Sequence, residues 1–188
     1  MAANSIIGRE YEQHIINGYL ESGKAELIAV YGRRRVGKTF LVKSIFDNQF
    51  DFSFTGLYDV SRAVQLSQFQ KYLEHYSGQK VKRFKDWFEA FDALKTYLDT
   101  IQKERIVVFL DEIPWMDTPK SNFLAAFGQF WNDGASLKSN LSCLSAVQPP
   151  TGCSPNSSAT KEASMAVYAV RYGWHRSLWV KRKCSCGM

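Results

Sequence analysis

The stretch Leu27-Ile28-Ala29-Val30-Tyr31, followed at once by Gly32-Arg33-Arg34-Arg35-Val36-Gly37-Lys38-Thr39, constrains the fold of this chain more than any other. The apolar run reads as a short buried strand, and Thr39 to Phe46 reads as a helix. The octet between them fits G-x-x-x-x-G-K-[ST] in the strand–loop–helix setting which that pattern requires. Glycines let the backbone wrap so that its N–H groups converge on phosphate oxygens, and the helix N-terminus adds partial positive charge. Gly32 to Thr39, with Phe40 next in the helix, are therefore candidate nucleotide-binding residues. Lys38 is expected to reach the β- and γ-phosphates of ATP, and Thr39 to ligate Mg2+.

The same alternation continues to about Trp131. Ile15, Ile16, Tyr19 and Leu20 give an amphipathic helix that Gly23 can end, and Phe50, Phe52 and Phe54 alternate with Asp51 and Ser53 as a half-buried strand closed by Thr55-Gly56. Leu66, Phe69, Leu73 and Tyr76 follow helical spacing, as do Trp87, Phe88, Phe91, Leu94, Leu98 and Ile101, with Gly78 marking the turn between them. Phe123, Leu124, Phe127, Phe130 and Trp131 form a further helical face. Alternating strands and helices predict an α/β fold with a parallel sheet between two helical layers.

Ile106 to Leu110 is an apolar run suited to a strand covered on both faces, and it ends in Asp111-Glu112. This is the expected acidic partner of a phosphate loop, a Walker B element. Asp111 would hold the magnesium, and Glu112 would polarise an attacking water, which favours hydrolysis over transfer to a small molecule. Lys38 and Glu112 are thus the candidate catalytic pair, and Thr39 with Asp111 the candidate metal ligands.

The net charge of +6 does not by itself imply a nucleic-acid partner, because of where it lies. Residues 141 to 188 hold six of the 24 basic residues and one of the 18 acidic ones, which leaves the first 140 nearly neutral. All four cysteines fall in the same tail, at spacings that match neither a zinc ribbon nor a zinc finger. No apolar run approaches a membrane span and no signal-peptide core opens the chain, so a cytosolic location is expected.

With both motifs placed, the chain resembles the AAA+-related prokaryotic and archaeal-type ATPases of the STAND-like group. Residues from about Ile6 to Asp133 carry the resemblance: Ile7-Gly8-Arg9-Glu10, Tyr31-Gly32-Arg33-Arg34-Arg35, Phe52-Ser53-Phe54-Thr55-Gly56, and Asp111-Glu112-Ile113-Pro114-Trp115-Met116-Asp117. The resemblance implies a three-layer αβα core with strand order 5-1-4-3-2, and a place near adenine and ribose for Ile7, Gly8 and Arg9. It further implies ATP hydrolysis coupled to motion of C-terminal domains, with a homo-oligomer or protein client as partner. Nucleic acid is expected only through those domains. A non-catalytic, nucleotide-dependent switch or scaffold is the alternative.

The family's fourth strand carries a polar sensor of the γ-phosphate, and nothing after Asn140 suits that role. Leu141 to Val147 makes at best a poor strand, with Pro149-Pro150 and a serine-rich stretch following. The expectation is a core of residues 1–140 truncated after its third strand, with a foreign tail over 141–188. The degenerate codons of that tail, read in a shifted frame, allow sequence resembling the family's fourth strand. One missing base near Asn140 would then put the tail out of frame. Without a fourth strand, the first and third would expose edges and the chain would aggregate, unless Leu141 to Val147 filled the gap.

Overall fold

The computed structural model describes residues 8–147 and 165–170. Helix α1 (Glu10–Leu20) leads into strand β1 (Glu26–Gly32), helix α2 (Lys38–Ile45) and strand β2 (Phe52–Thr55). Two helices follow, α3 (Arg62–Ser77) and α4 (Trp87–Asp99), then strand β3 (Ile106–Asp111), a one-turn helix α5 (Ile113–Met116) and helix α6 (Phe123–Asp133). A 3-10 turn over Ala135–Leu137 precedes strands β4 (Leu141–Val147) and β5 (Met165–Val170). Local chemistry sets the boundaries of the middle helices. The Ser61 side chain caps α3 by accepting from the Val64 N–H, and Asp86 caps α4 by accepting from Glu89.

The sheet runs β2-β3-β4-β1-β5, which from the other edge is the implied order 5-1-4-3-2. Two expectations are corrected. The sheet does not stop after its third strand, because Leu141–Val147 lies between β1 and β3, parallel to both and buried throughout. The Pro149-Pro150 and serine-rich stretch that follow it argue against a strand here. Between two parallel neighbours, however, backbone hydrogen bonding and small buried side chains suffice. Ser142 also accepts a hydrogen bond from Arg105 Nη1 at 3.0 Å. The gap that would have exposed the edges of β1 and β3 is filled. Second, the sheet is not wholly parallel, since β5 pairs with β1 antiparallel. An antiparallel edge strand on a parallel sheet is a common compromise.

Alternating side chains send the strands' apolar residues to two cores. Ile106, Val108 and Leu110 face one side with Phe52, Phe54, Leu141 and Cys143, beneath α3, α4 and α6. Val107 and Phe109 face the other with Ile28, Val30, Leu144 and Ala146, beneath Ile16 of α1 and Leu41 and Val42 of α2. The result is the expected three-layer αβα core. Phe69 is a hub of the first core, in ring contact with Phe52, Phe54, Phe84, Trp87 and Phe91. Such aromatic pairs add about 0.5–1.5 kcal/mol each beyond area burial. No helix among the described residues is long and apolar enough to cross a membrane.

Candidate nucleotide-binding site

Parallel strands deliver their C-terminal ends to one edge of the sheet, and the loops there converge. The chain leaves β1 at Gly32, turns through three exposed arginines, and enters α2 at Gly37 with φ 85°. That left-handed backbone suits glycine. No side chain caps α2, so the amides of its first turn face the loop unblocked by a cap. Arg35 also has positive φ, 64°, which turns the loop tightly.

Lys38 is buried, 6% exposed, and its Nζ donates to the carbonyls of Gly32 and Arg33, each at 2.9 Å. Its ammonium is thereby held inside the loop it closes. Burial pushes its pKa below the ordinary lysine value, an effect opposed by the nearby charges of Glu112 and Asp111. Asp111, the last residue of β3, is 4% exposed. Its Oδ2 accepts from the Thr39 hydroxyl at 2.8 Å and its Oδ1 from the Glu112 amide at 2.9 Å. Desolvation raises its pKa, while Thr39 and the Glu112 amide work against that rise.

Glu112 follows in left-handed backbone, φ 52° and ψ 44°, as the N-cap of α5. For a residue other than glycine this conformation persists only where neighbours impose it. Gly56, just past β2, is one such neighbour. Its amide donates to Asp111 O at 3.0 Å, and a Cβ there would lie 2.7 Å from Glu112 O.

The expected residues therefore meet: Lys38, Thr39, Asp111 and Glu112 gather at the C-terminal ends of β1 and β3. Arg9 also reaches the phosphate loop, donating from Nη2 to Val36 O at 3.1 Å and from Nη1 to Glu12 at 3.0 Å. The bond to Val36 holds the loop itself. Gly8 lies beside it with φ 81°, its carbonyl accepting from Gln13, and Ile7 falls outside the described residues. Arg33, Arg34 and Arg35 are exposed, and Phe40 is 57% exposed on the first turn of α2. The last two residues of β4, Ala146 and Val147, are apolar.

Sequence reading missed Gly56 and Gln65 at this edge. Gln65 is 1% exposed and fully engaged with backbone. Its place four before Phe69 and eight before Leu73, on the buried face of α3, was the available signal.

The oxygen donors fit magnesium. A hard cation of this size takes one or two protein oxygens plus substrate phosphates, rather than a protein cage. Thr39 Oγ1 and Asp111 Oδ2 supply such a pair, and among the described residues no cluster of three His, Cys, Asp or Glu suggests another metal. A buried ammonium, open helix amides and two adjacent carboxylates suit a triphosphate.

Comparison with known proteins agrees. A family model described as an ATPase domain predominantly from Archaea matches residues 6–144. An uncharacterized protein of Methanocaldococcus jannaschii is 27% identical over 121 residues, 64% of this chain and 25% of that protein. An uncharacterized ATP-binding protein of the same organism is 42% identical over 43 residues, 23% of this chain and 73% of that protein. Among solved structures, a Walker-type ATPase of Pyrococcus abyssi superposes with TM-score 0.52 at 18% identity, over 75% of this chain and 45% of that one. A Drosophila ORC structure bound to AT-rich DNA and Cdc6 gives TM-score 0.50 at 13% identity, over 75% of this chain and 47% of that one. These two show the fold. The chain spans about a quarter of the first relative's length and under half of the Pyrococcus ATPase. With the model matching well over half of its residues, the chain belongs to the family of ATPase domains found predominantly in Archaea.

Proposed function

We propose that this chain binds ATP with magnesium at Gly32–Thr39 and Asp111 and hydrolyses it to ADP and phosphate. The observation that carries the reading is the 2.8 Å hydrogen bond from Thr39 to Asp111, which joins the phosphate loop to the acidic strand end. Thr39 and Asp111 would hold the magnesium, which would supply positive charge to offset the negative charge developing on the phosphates. Lys38 exchanges its loop carbonyls for phosphate oxygens, and the open amides at the start of α2 hold the phosphates in place. Glu112 accepts a proton from the water it orients toward the γ-phosphorus. Arg9 keeps the loop in register through Val36, on the side where the family resemblance places adenine and ribose.

The test is Glu112→Gln beside the wild type. The variant is expected to keep Mg-ATP binding and lose phosphate release, while Lys38→Ala loses binding. Lys38→Ala with unaltered affinity refutes the reading. A second reading, a nucleotide-held switch or scaffold, draws on the apolar end of β4, where the family places a polar sensor. Equal phosphate release by wild type and Glu112→Gln would favour it.

A homo-oligomer or protein client for this core, and nucleic-acid contact through C-terminal domains of longer relatives, belong to the same proposal. So does a missing base near Asn140, supported by the tail's composition and by a family match that ends at residue 144. Sequencing codons 135 to 150 tests it, and an intact frame refutes it.

A further inference from the structure

We propose that Gln65 is a positioning residue that sets the catalytic turn of Glu112 through its bonds to Leu57 and Trp115. The inference rests on the hydrolytic reading above and adds a residue from α3, whose side-chain hydrogen bonds go to Leu57 and Trp115.

The Gln65 side chain is 1% exposed and uses both ends of its amide. Oε1 accepts from the Leu57 N–H at 3.0 Å, and Nε2 donates to Leu57 O at 2.7 Å and to Trp115 O at 3.0 Å. One side chain thus pairs with a backbone residue as a strand neighbour would, and ties it to α5. Both tied segments flank Glu112. Leu57 follows Gly56, whose missing Cβ lets the β2 loop lie against Glu112 O. Trp115 in turn donates from its own N–H to Glu112 O at 2.9 Å. The Tyr58 ring closes over Trp115 at a centroid distance of 5.5 Å.

The physical case concerns the backbone of Glu112. A left-handed glutamate is strained, and α5 is a single turn too short to be stable alone. Something outside must hold both. Gln65 does so by removing two backbone polar groups of Leu57 and one of Trp115 from any alternative partner. Leaving three part-buried backbone groups unpaired is costly, so the turn has little freedom while Gln65 is present. The carboxylate that must face the γ-phosphate is therefore oriented by α3, although no atom of α3 need touch the nucleotide.

The experiment uses the full chain with Gln65→Leu, which removes every bond, and Gln65→Glu, which keeps only the acceptor for Leu57. Steady-state hydrolysis of Mg-ATP, binding of a fluorescent ATP analogue, and backbone hydrogen exchange are read together. A displacement of about 1 Å in a catalytic group lowers kcat by about 100-fold, so a fall of about 10- to 100-fold is expected in both variants. KM and analogue affinity are expected to stay at wild-type values. Exchange should rise over 111–117 and stay unchanged over 32–40. Unchanged kcat, or a fall accompanied by lost protection over 32–40, overturns the proposal. If the wild type itself releases no phosphate, the hydrolytic reading fails, and exchange alone judges Gln65: a rise confined to 111–117 supports its positioning role, and no rise overturns it.

Discussion

The Thr39 hydroxyl donates to Asp111 Oδ2 at 2.8 Å, although 72 residues separate them and β4 lies between β3 and β1, the strand that leads into Thr39's helix. The bond joins the first turn of α2 to the end of β3 at the level of Ala146, and so spans the strand that sequence reading expected to be absent. Without β4 the two elements would have no shared frame.

Asp111→Asn tests the cost of that arrangement. Asp111 has a raised pKa, so the stability tied to its neutral form is fully present below the unfolded value of about 3.9 and is lost as pH rises through the folded value. Asparagine avoids that loss. The variant's Tm, without nucleotide, is expected to exceed wild type more at pH 7.5 than at pH 4, while Mg-ATP affinity falls about 10- to 100-fold. A Tm difference independent of pH would contradict the desolvation argument.

Arg9 separates loop support from general stability. Its bonds to Val36 O and Glu12 are made by one planar fork that lysine cannot reproduce. Arg9→Lys and Arg9→Ala are both expected to weaken Mg-ATP binding by about tenfold, equivalent to about 1.4 kcal/mol. Isothermal titration checks this, and a lysine variant with wild-type affinity would show that the contact is dispensable.

Gly56→Ala places a methyl group 2.7 Å from Glu112 O and 3.0 Å from Met116 Cγ. Overpacking against backbone costs about 1–3 kcal/mol. Chemical denaturation should show this loss, and phosphate release should fall more than ATP affinity, because the displaced group is Glu112 rather than the phosphate loop. A variant with normal stability and turnover would mean that the β2 loop yields freely.

Cys143 reports on β4. Its thiol is buried in the sheet, and burial pushes its pKa up to about 12. In a chain with Cys153, Cys184 and Cys186 changed to serine, Cys143 should resist a maleimide under native conditions and react once denaturant unfolds the sheet. Labelling at the rate of a free thiol would place Leu141–Val147 outside the core.

Repeating patterns explain what could be read in advance. The strand–loop–helix at Leu27 to Phe46, the buried strand ending in Asp111, and the helical faces of α3, α4 and α6 all lie in local periodicity or spacing, and the fold places them as read. The phosphate loop was legible because its chemistry demands glycines, lysine and threonine at fixed separations.

Leu141-Ser142-Cys143-Leu144-Ser145-Ala146-Val147 carries no such signature, and becomes a central strand because β1 and β3 leave two unpaired backbone ladders that a neighbour must satisfy. Gln65 and Gly56 gave only weak signals: apart from its helical spacing to Phe69 and Leu73 the first looks like an ordinary polar helix residue, and the other looks like a turn. Their importance comes from long-range approach, where α3 and the β2 loop meet α5. Local sequence thus specified the elements and the phosphate chemistry. Contacts between distant segments decided which strand completes the sheet and what holds Glu112 in place, since hydrogen bonds and steric limits between such segments exist only once the chain has packed.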